Sequence, residues 1–329
     1  MTLTSRLAVV SVLVAAFLLC GTLSADLPIC KACGKPIEGR YIAAGGAFYH
    51  PEHFTCAICG KPIAGEYVER DGKVFHTSCY EENFALRCDL CGKVIKGKYI
   101  RDYWGHVYHA SHKGEIPQCA HCSRFISESL TGGGYRYADG RYVCGICHKT
   151  AVLKHAEAMK LMREVAARLD ALGLHVDTAP IHLHLAGLEK IRGLAGSSSD
   201  DLRGYTDYSE ESFLGFTTSR KIDVYILYGM PRESTIATLA HELTHVWQSV
   251  HGRLHNDPAL AEGSCNLAAW LVLQDVRTPQ SAYLTHTMME NRDENYGEGF
   301  RRIKKFADEN GIAAWIRALG EEDAFPSGY

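Results

Sequence analysis

The sequence predicts an α+β chain: two small β-rich zinc modules, then a mainly helical domain with a small sheet. Three observations carry this expectation. Cys-x-x-Cys knuckles recur four times between residues 30 and 147. Cysteines then become rare, and helical periodicity begins near Lys149. Within the second half, residues 241–245 read HELTH on a strongly helical stretch.

The chain has 329 residues, room for about two domains of ordinary size. Its formal net charge is −3, spread over charges of both signs. That argues against nucleic-acid binding through bulk electrostatics. At the N-terminus, Arg6 precedes an uncharged apolar run from Leu7 to Leu19, followed by Gly21, Thr22, Ser24 and Ala25. This is the layout of a secretory signal peptide over residues 1–25, cleaved near Ser24 or Ala25. The expectation is an exported protein, periplasmic or secreted, with no stable membrane span after cleavage. The alternative is an anchor formed by the uncleaved segment. Leu19 before Cys20 makes a poor lipoprotein signal.

The repeats come next. CGKPIEGRYI starts at Cys33, CGKPIAGEYV at Cys59 and CGKVIKGKYI at Cys91, each three residues after another Cys. A divergent fourth copy runs from Cys119 to Cys147. The ligand sets are Cys30, Cys33, His50 and His53; Cys56, Cys59, His76 and Cys79; Cys88, Cys91, His109 and His112; and Cys119, Cys122, Cys144 and Cys147. Each set suits a tetrahedral ion: the knuckle places two thiolates, and a second pair across a hairpin closes the shell. ERDGKVFH at 69–76 and ADGRYVC at 138–144 have the Asp-Gly turns of such hairpins. A disulfide scaffold fits poorly, because the region holds an odd eleven Cys and leaves the His pairs unexplained. With four protein ligands each, these sites are expected to be structural, accounting for four zinc ions.

From residue 150 the pattern is helical. Residues 151–173 have apolar residues at helical spacing and end at Gly173. IHLHLAG at 181–187 alternates like a strand, with His182 and His184 read as ordinary residues of one face. KIDVYILYGMP at 221–231 reads as a buried strand, whose end at Tyr228 and Gly229 is a candidate edge for substrate backbone. The helix over roughly 234–252 carries His241 and His245, about 40° apart on one face, so both imidazoles reach one zinc. Glu242 is placed to act on water whose pKa that zinc lowers. A second helix, 258–273, offers Glu262, with sixteen residues between it and His245. Ala-Glu-Gly after HExxH resembles the way gluzincin peptidases supply their third ligand. Three protein ligands leave one position open, as catalysis requires. Tyr296 is the first candidate for an oxyanion donor, with Tyr283 and His286 as competitors. Cys265 is expected to be a buried helix residue rather than a nucleophile.

Two resemblances extend these readings. The two-residue junction between His53 and Cys56 resembles that of a LIM domain over residues 30–79, giving a LIM module at 26–84. Residues 85–149 resemble a second, LIM-like module with a six-residue junction between His112 and Cys119. The mature chain as a whole is similar to the plant LIM-domain peptidases that limit organ growth and are activated by ubiquitin. HPEHFTCAIC at 50–59, YWGHVYHASHKGEIPQCAHC at 103–122, ILYGMPRESTIATLAHELTHVWQ at 226–248, LAEGSCNLAAW at 260–270 and YGEGFR at 296–301 carry this likeness. It implies a zinc peptidase domain over 150–329, of gluzincin type, acting on protein or peptide substrates. It also implies LIM modules that recruit substrate or partners, or regulate the peptidase. Two departures matter. His109 stands where that family usually has Cys. A signal peptide takes the place of the family's ubiquitin-interacting segments, so ubiquitin activation does not carry over; an exported bacterial relative is expected. The rival expectations are a non-catalytic LIM scaffold with an inactive peptidase-like domain, and a metal store. The intact HELTH with Glu262 weighs against the first, and the ordered hairpins against the second.

Overall fold

A computed structural model describes residues 27–199, 201–213, 216–251 and 257–321. The expected leader at 1–25 lies outside the described residues. The chain forms two compact units, Met1–Glu115 and Ile116–Tyr329. The boundary divides the 85–149 stretch expected as one LIM-like module. Its first zinc unit belongs to the first compact unit and its second zinc unit to the other.

The first unit is three knuckle-and-hairpin repeats. Strand β1 (Ile42–Ala44) pairs with β2 (Ala47–Tyr49), β3 (Tyr67–Arg70) with β4 (Lys73–His76), and β5 (Tyr99–Arg101) with β6 (Val107–His109), all antiparallel. The helix α1 (Thr77–Asn83) carries Cys79. At the expected turn of the β3–β4 hairpin, Asp71 and Gly72 have φ of 52° and 71°, the left-handed pair that a tight hairpin needs. The apolar cluster here is small: Ala44, Phe54, Cys56, Ile63, Tyr67 and Phe75. So small a cluster leaves the fold short of apolar burial, a deficit that metal ligation by the Cys and His sets would make up.

The second unit opens with the fourth repeat: α2 (Glu128–Thr131), β7 (Gly134–Arg136), β8 (Tyr142–Cys144) and α3 (Gly145–His148). Then come α4 (His155–Leu172), β9 (Ile181–Ala186), α5 (Leu188–Ala195), β10 (Gly204–Phe213) and β11 (Phe216–Leu227). The helices α6 (Arg232–Val250), α7 (Pro258–Gln274) and α8 (Pro279–Glu290) follow. A π-helical turn, Glu294–Gly299, leads into α9 (Phe300–Asn310) and α10 (Ile312–Glu321). Helix α4 buries Leu161, Met162, Val165 and Leu169 and stops at Gly173, whose φ of 100° no L-residue adopts easily. The sheet order is β10-β11-β9, with β11 antiparallel to β10 and parallel to β9. Ile222, Val224 and Ile226 of β11 join Leu239 and Leu243 of α6, Leu267 of α7, and Phe300 and Trp315 in one core. Among the described residues, no helix is long and apolar enough to cross a membrane.

Two sequence expectations change here. The strand expected at 221–231 begins five residues earlier and ends at Leu227. It is also the central strand, so it cannot serve as a docking edge. Tyr228 N–H donates to the Ala186 carbonyl and Gly229 N–H to that of Val152, so these backbone donors are already taken. The open edges belong to β10 and β9. Strand β10 and helix α5 carried no sequence expectation.

Candidate metal centres

The four cysteine-rich sets assemble as the spacing expects. In each, the four ligand atoms lie within 4.8 Å of one another. Around a tetrahedral zinc, sulfur and nitrogen ligands stand ~3.6 Å apart and two sulfurs ~3.8 Å apart, from the usual bond lengths. Cys30 Sγ is 3.6 Å from His53 Nδ1, and Cys33 Sγ 3.6 Å from His50 Nδ1. Cys59 Sγ is 3.4 Å from His76 Nδ1, Cys91 Sγ 3.4 Å from His109 Nδ1, and Cys122 Sγ 3.7 Å from Cys144 Sγ. All twelve described cysteines are free thiols.

Local chemistry prepares these atoms for a metal. His76 Nε2–H donates to the Pro62 carbonyl at 3.1 Å and His109 Nε2–H to that of Val94 at 3.2 Å. Each bond fixes the tautomer and leaves Nδ1 with its lone pair. Neither ring nitrogen of His112 has a hydrogen-bond partner, though both are buried. A ligand role accounts for that, since a buried nitrogen without a partner is costly. Burial opposes ionisation of Cys30, but N–H groups of His50 and the knuckle outweigh it and lower its thiol to about 5. The same balance lowers Cys56 and Cys88 to about 6.

The fifth group lies between α6 and α7. His241 Nε2 and His245 Nε2 are 3.2 Å apart. Glu262 Oε2 is 3.2 Å from the first and 3.4 Å from the second. Two nitrogen or oxygen ligands of one tetrahedral zinc stand ~3.3 Å apart. The triangle therefore has the dimensions of a zinc ligand set, and Glu262 Oε2 is buried without a hydrogen-bond donor. Burial pushes the Glu262 carboxyl up, but His241 and His245 outweigh it and hold it well below the carboxylate range. Burial opposes charge on His245, yet Cys265, Glu262 and Glu242 together raise its pKa well above the ordinary value.

Two carboxamides orient the imidazoles. Asn266 Nδ2 donates to the Tyr296 carbonyl, so its Oδ1 faces His241 Nδ1 at 3.0 Å. Gln248 Nε2 donates to the Ala261 carbonyl, so its Oε1 faces His245 Nδ1 at 3.0 Å. With a metal at the centre, both histidines would keep their proton on Nδ1 and present a bare Nε2 to it. Helical spacing held the signal for both, since Gln248 lies three residues after His245 and Asn266 four after Glu262. Cys265 Sγ is 3.4 Å from His245 Nδ1, behind the ring rather than on the Nε2 side. Burial pushes its thiol up to about 11. Its ligand atom also clusters with those of His241 and His245, but it approaches His245 at Nδ1, whereas Glu262 Oε2 stands beside the two Nε2 atoms.

Glu242 is buried on the sheet side of α6. Thr206 of β10 donates to its Oε2 at 2.8 Å. Gly204 gives the strand room to approach, because a Cβ there would stand 2.4 Å from Glu242 Oε1. Nothing in the sequence marks Thr206, which lies 36 positions from its partner. Tyr296 sits in the π-helical turn, its ring 6.1 Å from that of His241 and nearly parallel to it. Gly263 and Gly299 bring this turn against α7 backbone to backbone. Burial, then Glu262 and Glu242, raise the Tyr296 phenol, so it keeps its proton. Tyr283 instead hydrogen-bonds Ser123 of the fourth repeat at 2.8 Å. His184 and His182 both face Asp223 of β11, His184 at 2.7 Å and His182 at 3.8 Å.

Comparison with known proteins agrees with two parts of this arrangement. A LIM domain family model matches residues 30–84, and a DA1-like model, described as Protein DA1, matches residues 208–283. The chain is 27% identical over 299 residues to Protein DA1-related 2 of Arabidopsis thaliana, covering 79% of this chain and 56% of that protein. It is 26% identical over 376 residues to Protein DA1 of the same plant, covering 93% of this chain and 69% of that protein. LIM domain-containing protein B of Dictyostelium discoideum is 37% identical over 123 residues, 37% of this chain and 21% of that protein. The chain thus spans 56%, 66% and 50% of the first three curated relatives it matches.

Proposed function

We propose that the chain is a zinc-dependent peptidase of gluzincin type whose LIM modules recruit a substrate or partner. The observation that carries this is the triangle of His241 Nε2, His245 Nε2 and Glu262 Oε2, with sides of 3.2 to 3.4 Å and Glu242 on the same helix turn. The cysteine-rich sets are read as four structural zinc sites, and the triangle as the one catalytic site.

When bound there, zinc supplies Lewis acidity for the scissile carbonyl and a more acidic water. Glu242 accepts the proton of the attacking water and returns it to the leaving amine. Thr206 holds one carboxylate oxygen, which fixes the orientation of the other. The Tyr296 hydroxyl donates to the oxyanion as charge develops. The open edge of β10 beside Glu242 offers backbone groups to an extended substrate, which replaces the edge expected at Tyr228 and Gly229. Action outside the cytoplasm, as the leader-like residues 1–25 suggest, is part of the same proposal. An unstructured protein such as casein, or a peptide library, tests the reading with wild type and Glu242→Gln. Cleavage that survives the substitution unchanged would falsify it.

A further inference from the structure

We propose that the fourth zinc unit is a positioning element for the histidine centre. Metal held by Cys119, Cys122, Cys144 and Cys147 raises the affinity of His241, His245 and Glu262 for their own metal. The inference rests on the reading of that triangle as a metal centre, and does not require it to cleave peptides.

Three links run from the fourth repeat to the centre, all inside the second compact unit. The first grips the turn between β11 and α6. Arg141 Nη2 donates to the Tyr228 carbonyl at 2.8 Å and the Tyr137 hydroxyl to that of Gly229 at 3.4 Å. Val152 N–H donates to the Met230 carbonyl and Arg232 N–H to that of Thr150, both at 2.8 Å. Residues 137–152 thus take every carbonyl from 228 to 230, and α6 begins two residues later.

The second link runs through α8. Gln280 Nε2 donates to the His121 carbonyl at 3.2 Å, and Tyr283 meets Ser123 at 2.8 Å. From the same helix start, Thr278 donates to Glu233 Oε1 in the first turn of α6 at 3.0 Å. The third link reaches β10. The His121 ring, inside the knuckle, lies between Arg141 Nη1 at 3.3 Å and Arg203 Nη1 at 3.1 Å. Arg203 immediately precedes Gly204, the residue that lies against Glu242.

The electrostatics agree. A zinc ion with four thiolates is formally dianionic, and the two guanidinium groups stand beside this knuckle. Arg141 is also held by Asp139 at 2.7 Å, so its fork points in one direction. A metal-free knuckle has no reason to keep its four sulfurs, and hence His121 and Arg141, in this arrangement. Losing it loosens both the entry to α6 and the strand beside Glu242.

The test uses the full chain loaded with cobalt, whose absorption separates thiolate sites from a histidine–carboxylate site. Affinity at the histidine centre is titrated for wild type, Arg141→Gln, Arg141→Lys, Cys147→Ser and, from the first compact unit, Cys59→Ser. The expected result is a roughly tenfold loss for Arg141→Gln and Cys147→Ser, inside the usual range of coupling between sites. Arg141→Lys recovers part of it and Cys59→Ser leaves the centre unchanged. Hydrogen exchange at 228–232 rises in Arg141→Gln. Should Cys147→Ser not fold, Arg141→Gln decides. Affinity within about twofold of wild type in Arg141→Gln overturns the coupling, as does an equal loss in Cys59→Ser. No cobalt at the histidine centre of wild type overturns the metal-centre reading, and the coupling with it.

Discussion

The first compact unit and the helical part of the second hold their candidate metals by opposite means. In the first, each ligand set belongs to a short stretch of chain, and the ligands themselves shape the hairpins. Its apolar cluster is a handful of side chains. In the second, the histidine centre is set into a large core of α4, α6, α7 and β11. The cysteine sets offer four protein ligands and are closed. The histidine set offers three, with Glu242 and Tyr296 beside it. A metal that builds a fold needs a complete shell, whereas a metal that reacts needs an open position on a frame already rigid.

Four experiments break or sharpen this comparison, in order of expected effect. Glu242→Gln should lower peptide cleavage by roughly 10²–10⁴-fold, the range of a lost general base, with zinc content unchanged at about five per chain. A zinc count near one would remove the closed centres from the comparison. Tyr296→Phe should lower kcat by roughly 10²–10³-fold, as for loss of one oxyanion donor. KM should change little, and a rise in KM alone would return Tyr296 to packing.

Asn266→Ala and Gln248→Ala should each weaken metal binding at the histidine centre by roughly 10–100-fold. Competition with a chelator, read site by site, should leave the three cysteine sets of the first compact unit unaffected. Equal weakening in those three sets would show that they and the histidine centre are not held independently.

The smallest effect concerns acid. Burial pushes the Asp139 carboxyl up, but its ion pair with Arg141 outweighs this and holds it below its ordinary 3.8. The folded state therefore favours the charged form. Its contribution is complete above about pH 4, the ordinary carboxyl value, and is lost as pH falls through the lower folded value. Thermal melting of Asp139→Asn should then lie below wild type at neutral pH and converge with it in strong acid. Parallel curves at all pH values would remove the ion pair from the account.

Much of this was legible beforehand because the signals are local. Cys-x-x-Cys knuckles, His pairs and Asp-Gly turns lie within a few residues of one another, so spacing alone names all sixteen side chains of the four cysteine-rich clusters. His241 and His245 were legible for the same reason, since helical geometry converts four positions into one face, whereas Glu262 on the next helix was read from the likeness to gluzincin peptidases. The carboxamides Gln248 and Asn266 were within reach of that reasoning and were missed. Other features carry no local mark. That β11 is central and β10 the edge depends on which strands pair, and strand pairing is a long-range choice. Thr206 beside Glu242, and Ser123 beside Tyr283 rather than the histidine centre, depend on packing between elements far apart in the chain.

The sequence by itself determined which Cys and His side chains cluster and named the candidate general base. Only the tertiary structure decided where the compact units divide, and that the fourth knuckle folds with the helical half. The physical reason is that ligand spacing is written within one hairpin or one helix. Domain membership is decided by the carbonyls that Arg141 and Tyr137 reach across nearly ninety residues and more.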